Sequence, residues 1–362
     1  MIEKDFILQR FQKIIVTGGA GFIGSALIRR LLNSKNNCKI FNIDKLNYAS
    51  NLLDIENSNQ AKGRYIHLKV DLINNEEINK LIIKINPDII IHLAAESHVD
   101  RSLNNPRVFV DSNIIGTFNL LEAARLNWNK LNDVNKNLFR FIHISTDEVF
   151  GSLGENGLFS EDSPYSPNSP YSASKASSDH LVKAWHKSFK LPTIITNCTN
   201  NYGPYQFPDK LIPLVIVKAL QKKHIPIYGD GSNIRDWLFV EDHIDAILKV
   251  CQFGNIGKSY CIGGNCEKSN LEIVNTICSL LNKYKPNADI KYESLIRHVE
   301  DRPGHDKRYG LNTDLIKKEL NWVPKHNFDE ALEKTVLWYL KNIHWIKSIM
   351  SETKYHGERL GL

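Results

Sequence analysis

An α/β fold built on a doubly wound parallel sheet is predicted for this chain by three observations. Short apolar, β-branched runs alternate with helix-period segments through the first half. A glycine cluster separates the first such run from the first helix. An acidic residue, Asp44, closes the second run twenty residues after the last of those glycines, Gly24. Strand and helix signals in alternation are the pattern of a parallel sheet covered by helices on both faces.

The elements follow in order. Lys13–Thr17 reads as a buried strand and Phe22–Asn33 as a helix with apolar residues on one face. Lys39–Asp44 and Arg64–Val70 read as the next strands. Glu76–Asn86 is helical and is broken by Pro87-Asp88, and Ile89–Leu93 is a fourth strand. Val108–Arg125 predicts one long amphipathic helix, and the Asn-rich stretch 127–137 a polar loop. Phe139–Ser145 is a fifth strand, Ser172–Lys190 a helix and Thr193–Cys198 a sixth strand. From Asn200 to Asp236 the pattern loosens among Pro, Gly and aromatic residues, and Glu241–Phe253 is helical again. The expected organisation is a large domain over residues 11–200, rejoined by 236–262. A smaller C-terminal mixed α/β domain takes 201–235 and 263–345, with terminal extensions at 1–10 and 346–362.

Composition narrows the function classes. The 362 residues allow a sizeable core, and a charged fraction of 24% is ordinary for a globular protein. The net charge of +6 is spread along the chain rather than gathered into a basic stripe, so a nucleic-acid partner is not expected. No apolar stretch is long enough to span a bilayer, and Met1–Gln12 does not read as a signal peptide. The six cysteines form no CxxC pair and have no histidine at zinc-ligand spacing. They read as thiols of a reducing, cytoplasmic setting, and no metal site is expected.

Gly18, Gly21 and Gly24 give a GxxGxxG spacing, and Gly19, Gly21 and Gly24 satisfy GxGxxG. Either alone is weak. Between a strand and a helix, such glycines let the backbone approach a pyrophosphate, which the helix N-terminus favours electrostatically. Asp44 is placed to accept from adenosine ribose hydroxyls and would repel a 2′-phosphate, so NAD is expected rather than NADP. Asp71, ending the third strand, is placed to reach the adenine.

Tyr171 and Lys175 lie four apart, on one helical face. An ammonium near a phenol lowers its pKa, so the phenol could take a proton from a substrate hydroxyl as hydride leaves the same carbon. Between the two motifs lie adjacent carboxylates, Asp147 and Glu148, just past the fifth strand. In general such a dipeptide is a solvated loop pair. Beside a redox centre it suggests an oxidation that enables an elimination. Oxidising C4 of a hexose to a ketone makes the C5 hydrogen acidic. One carboxylate can then abstract it while a protonated partner donates to the leaving C6 hydroxyl, and hydride returned to C6 closes the cycle.

With these motifs in place the chain resembles the extended short-chain dehydrogenase/reductases, and among them the nucleotide-sugar 4,6-dehydratases. The resemblance runs from about Lys13 to about Lys341. It is carried by the blocks Leu93–Ser102, Ser145–Gly151, Tyr171–Asp179, Thr196–Leu214, Gly229–His243 with Arg235-Asp236-Trp237, and Asp301–Asp306. Asn47, Ser50, Cys261 and Cys266 depart from the commoner residues. The resemblance implies a Rossmann sheet, NAD and a nucleotide-sugar substrate, with dTDP-glucose favoured and UDP-glucose as the alternative. It also implies a homodimer formed through the two long helices Val108–Arg125 and Ser172–Lys190, and a product that feeds deoxysugars such as rhamnose.

Carried over residue by residue, Tyr171 is the base for C4 oxidation, assisted by Lys175 and Thr146, Glu148 the base at C5 and Asp147 the acid at C6. NAD would be held by Gly18, Gly21, Phe22, Ile23 and Gly24, and by Asp44, Lys45, Leu46 and Asn47. Asp71, Leu72, Leu93, Ala94, Ala95, Ser97 and Ser112 would add to these, with Tyr171, Lys175 and Asn201. Substrate contacts would come from Ser97, Thr146, Asn200, Lys210, Leu211, Pro226, Tyr228, Arg235, Asn270, Arg302 and His305. His98 admits two readings, a sugar contact or a satisfied structural histidine. The other readings are a 4-epimerase or decarboxylase on the same scaffold, against which the Asp-Glu pair counts, and a non-catalytic NAD-binding protein.

Overall fold

In the computed structural model, which describes residues 8–35 and 37–353, twelve strands form three sheets. They are β1 Lys13–Thr17, β2 Lys39–Ile43, β3 Tyr65–Leu68, β4 Ile89–His92, β5 Arg140–Thr146, β6 Thr193–Cys198, β7 Asn200–Tyr202, β8 Ile225–Tyr228, β9 Ile234–Phe239, β10 Ser259–Ile262, β11 Glu267–Ser269 and β12 Ile296–Val299. The large sheet has the order β3-β2-β1-β4-β5-β6-β10, and every pair in it is parallel. The order reverses between β1 and β4, which opens a crevice at the carboxyl ends of those strands.

Period-two alternation divides the core. Ile14 and Val16 face one side with Leu27 and Ile28 of the helix Phe22–Leu32 and Ile244 and Ile247 of the helix Val240–Phe253. Ile15 faces the other, with Ile78, Ile82, Leu120, Leu121 and Val182. All of these are buried, and full burial of each such side chain contributes about 1.5–3 kcal/mol. Parallel strands covered on both faces explain why the sequence runs are continuously apolar.

A second core lies under the three-stranded sheet β11-β9-β7 and the pair β12-β8, with Ile216, Ile227, Ile273, Ile277 and Leu332 at its centre. Chain ends join these cores. Leu8 and Phe11 are buried in the first, and Ile346, Ile349 and Met350 of the helix Ile343–Thr353 in the second. The remainder of the expected extensions, 1–7 and 354–362, lies outside the described residues.

Three departures from the sequence reading matter. The single helix expected over 108–125 is interrupted by a π-helical segment, Val110–Ile115, before Gly116–Asn129 resumes. There Asn113 accepts from the Glu96 amide at 2.8 Å and donates to the Glu96 carbonyl at 3.0 Å and to Ser174 Oγ at 2.8 Å. A widened turn of this kind is common at functional sites. The loop expected over 127–137 is partly helical, because Asn132 accepts from the Asn135 amide and caps the helix Asp133–Leu138. The loosened stretch after Asn200 holds the helix Leu211–Leu220, whose Pro213 sits in the first turn, where proline is tolerated.

Candidate active site

The crevice is a cleft of about 310 Å³ at the carboxyl ends of the parallel strands. Its floor is the glycine turn. Gly18 has φ +71°, and a Cβ there would meet the Ala94 amide at 2.6 Å. A Cβ on Gly24 would meet the Gly18 carbonyl at 2.2 Å. Only glycine allows the turn, the neighbouring strand end and the helix start to approach this closely. Asp44 lies at the rim, with Oδ2 accepting from the Ala20 amide at 2.9 Å and Oδ1 from the Leu46 amide at 2.8 Å. Lone pairs remain on both oxygens for a diol. Lys45 bridges Asp71 at 3.7 Å and Glu96 at 3.5 Å across the same rim.

The structure gathers most of the residues expected to hold a dinucleotide. Gly18, Gly21, Phe22, Ile23 and Gly24 line the cleft, as do Asp44, Lys45 and Asn47. Asp71, Leu72, Leu93, Ala94, Ala95, Ser97, Ser112 and Asn201 line it as well. Leu46 does not. Its backbone turns to φ +59° and the side chain is 37% exposed. The glycine floor, the ribose-level carboxylate and the flat apolar walls fit a dinucleotide.

At the other end of the cleft, β5 delivers the reactive groups. Thr146 ends the strand, and Asp147–Phe150 make one 3₁₀ turn. The Thr146 hydroxyl accepts from the Glu148 amide at 3.3 Å and donates to Asp147 Oδ1 at 3.1 Å. Thr146, Glu148, Tyr171 and Lys175 line the cleft, and Asp147 lies behind them, 2% exposed, with Oδ2 lacking a partner among the described residues. Burial, with repulsion from Glu148 next, pushes Asp147 well above the ordinary carboxylate range. Glu148 is also raised by burial, but Arg302, Arg235 and Lys210 pull it back. Two adjacent carboxyls therefore sit in different fields, with the proton favoured on Asp147.

The helix Pro170–Phe189 starts with a capping box in which Ser169 and Ser172 satisfy each other, and Pro170 fills the first turn. That start places Tyr171 and Lys175 against β5. The Lys175 ammonium donates to the Ile144 carbonyl at 2.8 Å. Burial, followed by the charges of Glu148 and Cys198, raises Tyr171 well above its ordinary value, while hydrogen bonding with Thr146 opposes this. The lowering expected from a neighbouring ammonium is thus not what this pocket gives. The phenol is buried, the charges of Glu148 and Cys198 act against its ionisation, and the ammonium donates to a backbone carbonyl.

The expected substrate residues divide. Ser97, Thr146, Asn200 and Lys210 line the cleft, and Lys210 donates to the Ser97 carbonyl at 3.0 Å. Arg302, Arg235, Tyr228 and His305 form a wall beside it. Tyr228 donates to Asp100 Oδ2 at 2.6 Å, and Arg302 to Asp100 Oδ1 at 2.9 Å. Arg302 Nε and Asn200 Oδ1 are buried without partners among the described residues. Arg235 lies over the Tyr309 ring at 4.3 Å. His305 sits 2.6 Å from Asp301. Burial, with the Arg302 and Arg235 charges, pushes it down to about 4, so the ring is neutral at ordinary pH.

Leu211, Pro226 and Asn270 are not brought into the cleft. Leu211 opens its helix, Pro226 pairs with Arg297 in the β8–β12 ladder, and Asn270 opens the helix Asn270–Tyr284 with its amide on the Asn233 carbonyl. His98 caps the helix Val99–Asn104 and is buried against Asp209, which favours the structural of its two readings. Asp100 carries no local signal in the sequence, since its partners lie 128 and 202 residues away. Among the described residues, no group of His, Cys, Asp or Glu is arranged to hold a metal ion, and no helix is long and apolar enough to cross a membrane.

Known proteins share this arrangement. Residues 15–335 match the family model described as GDP-mannose 4,6 dehydratase. A dTDP-glucose 4,6-dehydratase from Neisseria meningitidis serogroup B is 51% identical over 354 residues, covering 97% of this chain and 99% of that one. The crystal structure of a Streptomyces venezuelae dTDP-glucose 4,6-dehydratase with NAD bound superposes with a TM-score of 0.85 at 39% identity, covering 93% of this chain and 99% of that one. A Bacillus anthracis dTDP-glucose 4,6-dehydratase in complex with NAD gives 0.81 at 43% identity, over 93% and 99%. The chain belongs to the nucleotide-sugar 4,6-dehydratases, the family whose model bears the GDP-mannose 4,6 dehydratase description.

Proposed function

We propose that this chain catalyses the NAD-dependent dehydration of dTDP-glucose to dTDP-4-keto-6-deoxyglucose, as a hydro-lyase. The observation that carries the reading is the chain of side chains at the end of β5. The Thr146 hydroxyl stands between the Tyr171 phenol and the Asp147 carboxyl, and Glu148 faces the same cleft. NAD would be held by the glycine turn and Asp44 and would supply the hydride acceptor for C4 and the hydride donor for C6. Tyr171 takes the C4 hydroxyl proton as a phenolate and becomes neutral, and the Lys175 ammonium on the same helical face offsets the phenolate's charge before the transfer, against the burial that raises the phenol. Glu148, drawn toward its ionised form by Arg302, Arg235 and Lys210, takes the C5 proton. Asp147, held protonated by burial and by Glu148, gives its proton to the leaving C6 hydroxyl. Arg302 and Arg235 supply fixed cations for the diphosphate, and the partnerless Arg302 Nε supports a bound anion there.

The residue roles are read as assigned above, with residues 11–200 and 236–262 as the NAD-binding domain and the remainder of 201–345 as the nucleotide-sugar domain. A homodimer is supported by apolar side chains left exposed along the expected interface: Val110, Ile115, Phe118, Leu126 and Phe189 are each about two-fifths exposed. A cytoplasmic location is supported by the six cysteines, none of which is in a disulfide. The product would feed deoxysugars such as rhamnose. The test is turnover of dTDP-glucose by the purified protein, with loss of water and no net accumulation of reduced cofactor.

A further inference from the structure

Lys175 is 5% exposed, and burial works against its charge. Its surroundings offer little relief. His92 on β4 and His143 on β5 are themselves lowered by burial, His143 to about 4, so both are neutral at ordinary pH. On β6, burial pushes the Cys198 thiol up to about 12, and Tyr171 on the same helix is raised as well. Two charges oppose the trend, that of Asp179 first and that of Cys198 second. Asp179 lies four residues beyond Lys175, on the same helical face, and is 0% exposed.

The Asp179 carboxylate is held from three sides. Oδ2 accepts from Ser145 Oγ of β5 at 2.8 Å, from Asn197 Nδ2 of β6 at 3.3 Å and from the Tyr165 hydroxyl at 2.9 Å. His143 Nε2 lies 3.1 Å from Oδ1, and Lys183 reaches the same Tyr165 hydroxyl at 3.4 Å. Burial alone would raise this carboxyl, but His143, Lys175 and Ser145 outweigh it and hold it below the ordinary range. A buried carboxylate persists only when its lone pairs and its charge are both answered. Here three neutral donors answer Oδ2, Oδ1 faces His143 Nε2 with no hydrogen bond formed, and Lys175, one turn back on the same buried helical face, adds an opposite charge.

We propose that Asp179 is a positioning residue, the buried counter-charge of Lys175 and the clamp that seats the helix Pro170–Phe189 on β5 and β6 with Tyr171 and Lys175 facing the cleft. The proposal rests on the redox role read for that couple. The test is the pH profile of kcat in Asp179→Asn, which removes the charge and keeps the shape, together with a stability cycle on Asp179→Asn, Lys175→Met and the double variant.

The expected result is a folded Asp179→Asn whose alkaline limb moves down by about one pH unit or more, since losing a neighbouring opposite charge shifts a pKa by about 1–3 units. The KM for dTDP-glucose should change by less than about threefold, because ground-state binding is untouched. Lys175→Met should lower Tm in the parent and not in the Asp179→Asn background. An insoluble Asp179→Asn that folds again when Lys175→Met is added supports the same pairing. A folded Asp179→Asn with the parent's alkaline limb, additive Tm changes, or a double variant no more soluble than Asp179→Asn each overturns it. Should the parent dehydrate no nucleotide sugar, the functional reading fails, and the stability cycle, which needs no turnover, decides the role of Asp179.

Discussion

The Lys175 ammonium donates to the Ile144 carbonyl at 2.8 Å. Ile144 precedes Thr146 by two residues on β5, so this bond ties the helix that carries the phenol to the strand that delivers both carboxyls. Proton acceptor, acid and base are thereby fixed in one frame. Removing single atoms from that frame gives distinct outcomes.

Tyr171→Phe removes the phenol oxygen and little else from a buried site. Turnover should fall by about 10²–10⁴-fold, the usual contribution of a positioned acid–base group. NAD content after purification should be unchanged. Equal loss of cofactor would show that the phenol acts in binding.

Asp147→Asn and Glu148→Gln should separate the elimination into its parts. With Asp147→Asn, deuterium from solvent should still enter C5 of bound substrate while water loss falls by about 10²-fold or more. With Glu148→Gln, both should fall together. C5 exchange lost in Asp147→Asn and kept in Glu148→Gln would reverse the two roles.

Asp147→Asn also carries a stability prediction with a definite sign. The folded-state pKa of Asp147 is raised above its unfolded value. A raised carboxyl contributes fully below its unfolded pKa, and the contribution is lost as pH rises through the folded value. The variant should therefore gain Tm over the parent as pH rises above the ordinary carboxylate range, with no gain below it. A pH-independent difference, or one of opposite slope, would contradict the protonated state assigned to Asp147.

Much of this frame was legible in the sequence. β1, β2, β4 and β6 are local, continuous apolar runs, and the glycine turn and the Tyr171/Lys175 pair are local spacings. What was not legible depends on distance or on one unusual turn. Asp100 acquires its place only when Tyr228 and Arg302 fold over it. The π-helical segment follows from Asn113 reaching the Glu96 backbone, which helix periodicity does not announce. The raised Tyr171 arises from burial and from Glu148, whereas a four-residue spacing to a lysine suggests the reverse.

Gly24→Ala tests the floor of the cleft. Its Cβ would stand 2.2 Å from the Gly18 carbonyl, a backbone atom that can move only with the turn. A loss of about 1–3 kcal/mol in stability is expected from such overpacking. Loss of NAD from the purified protein should accompany it. Full cofactor retention would contradict the close approach assigned to this turn.

Phe118→Glu places a charge on the exposed apolar face beside Trp185, whose ring is 5.7 Å from that of Phe118. Light scattering should report a dimer for the parent and a monomer for the variant. A monomeric parent would contradict the proposed interface.

Mass spectrometry of dTDP-glucose after incubation with the purified protein, with UDP-glucose run in parallel, decides the reaction. Loss of one water from dTDP-glucose is expected, with the 4-keto-6-deoxy product formed and no stoichiometric reduced cofactor. Water loss from UDP-glucose alone would keep the mechanism and contradict the nucleotide. A 4-epimer with no water lost, or no product from either sugar, would contradict the roles given to Asp147 and Glu148.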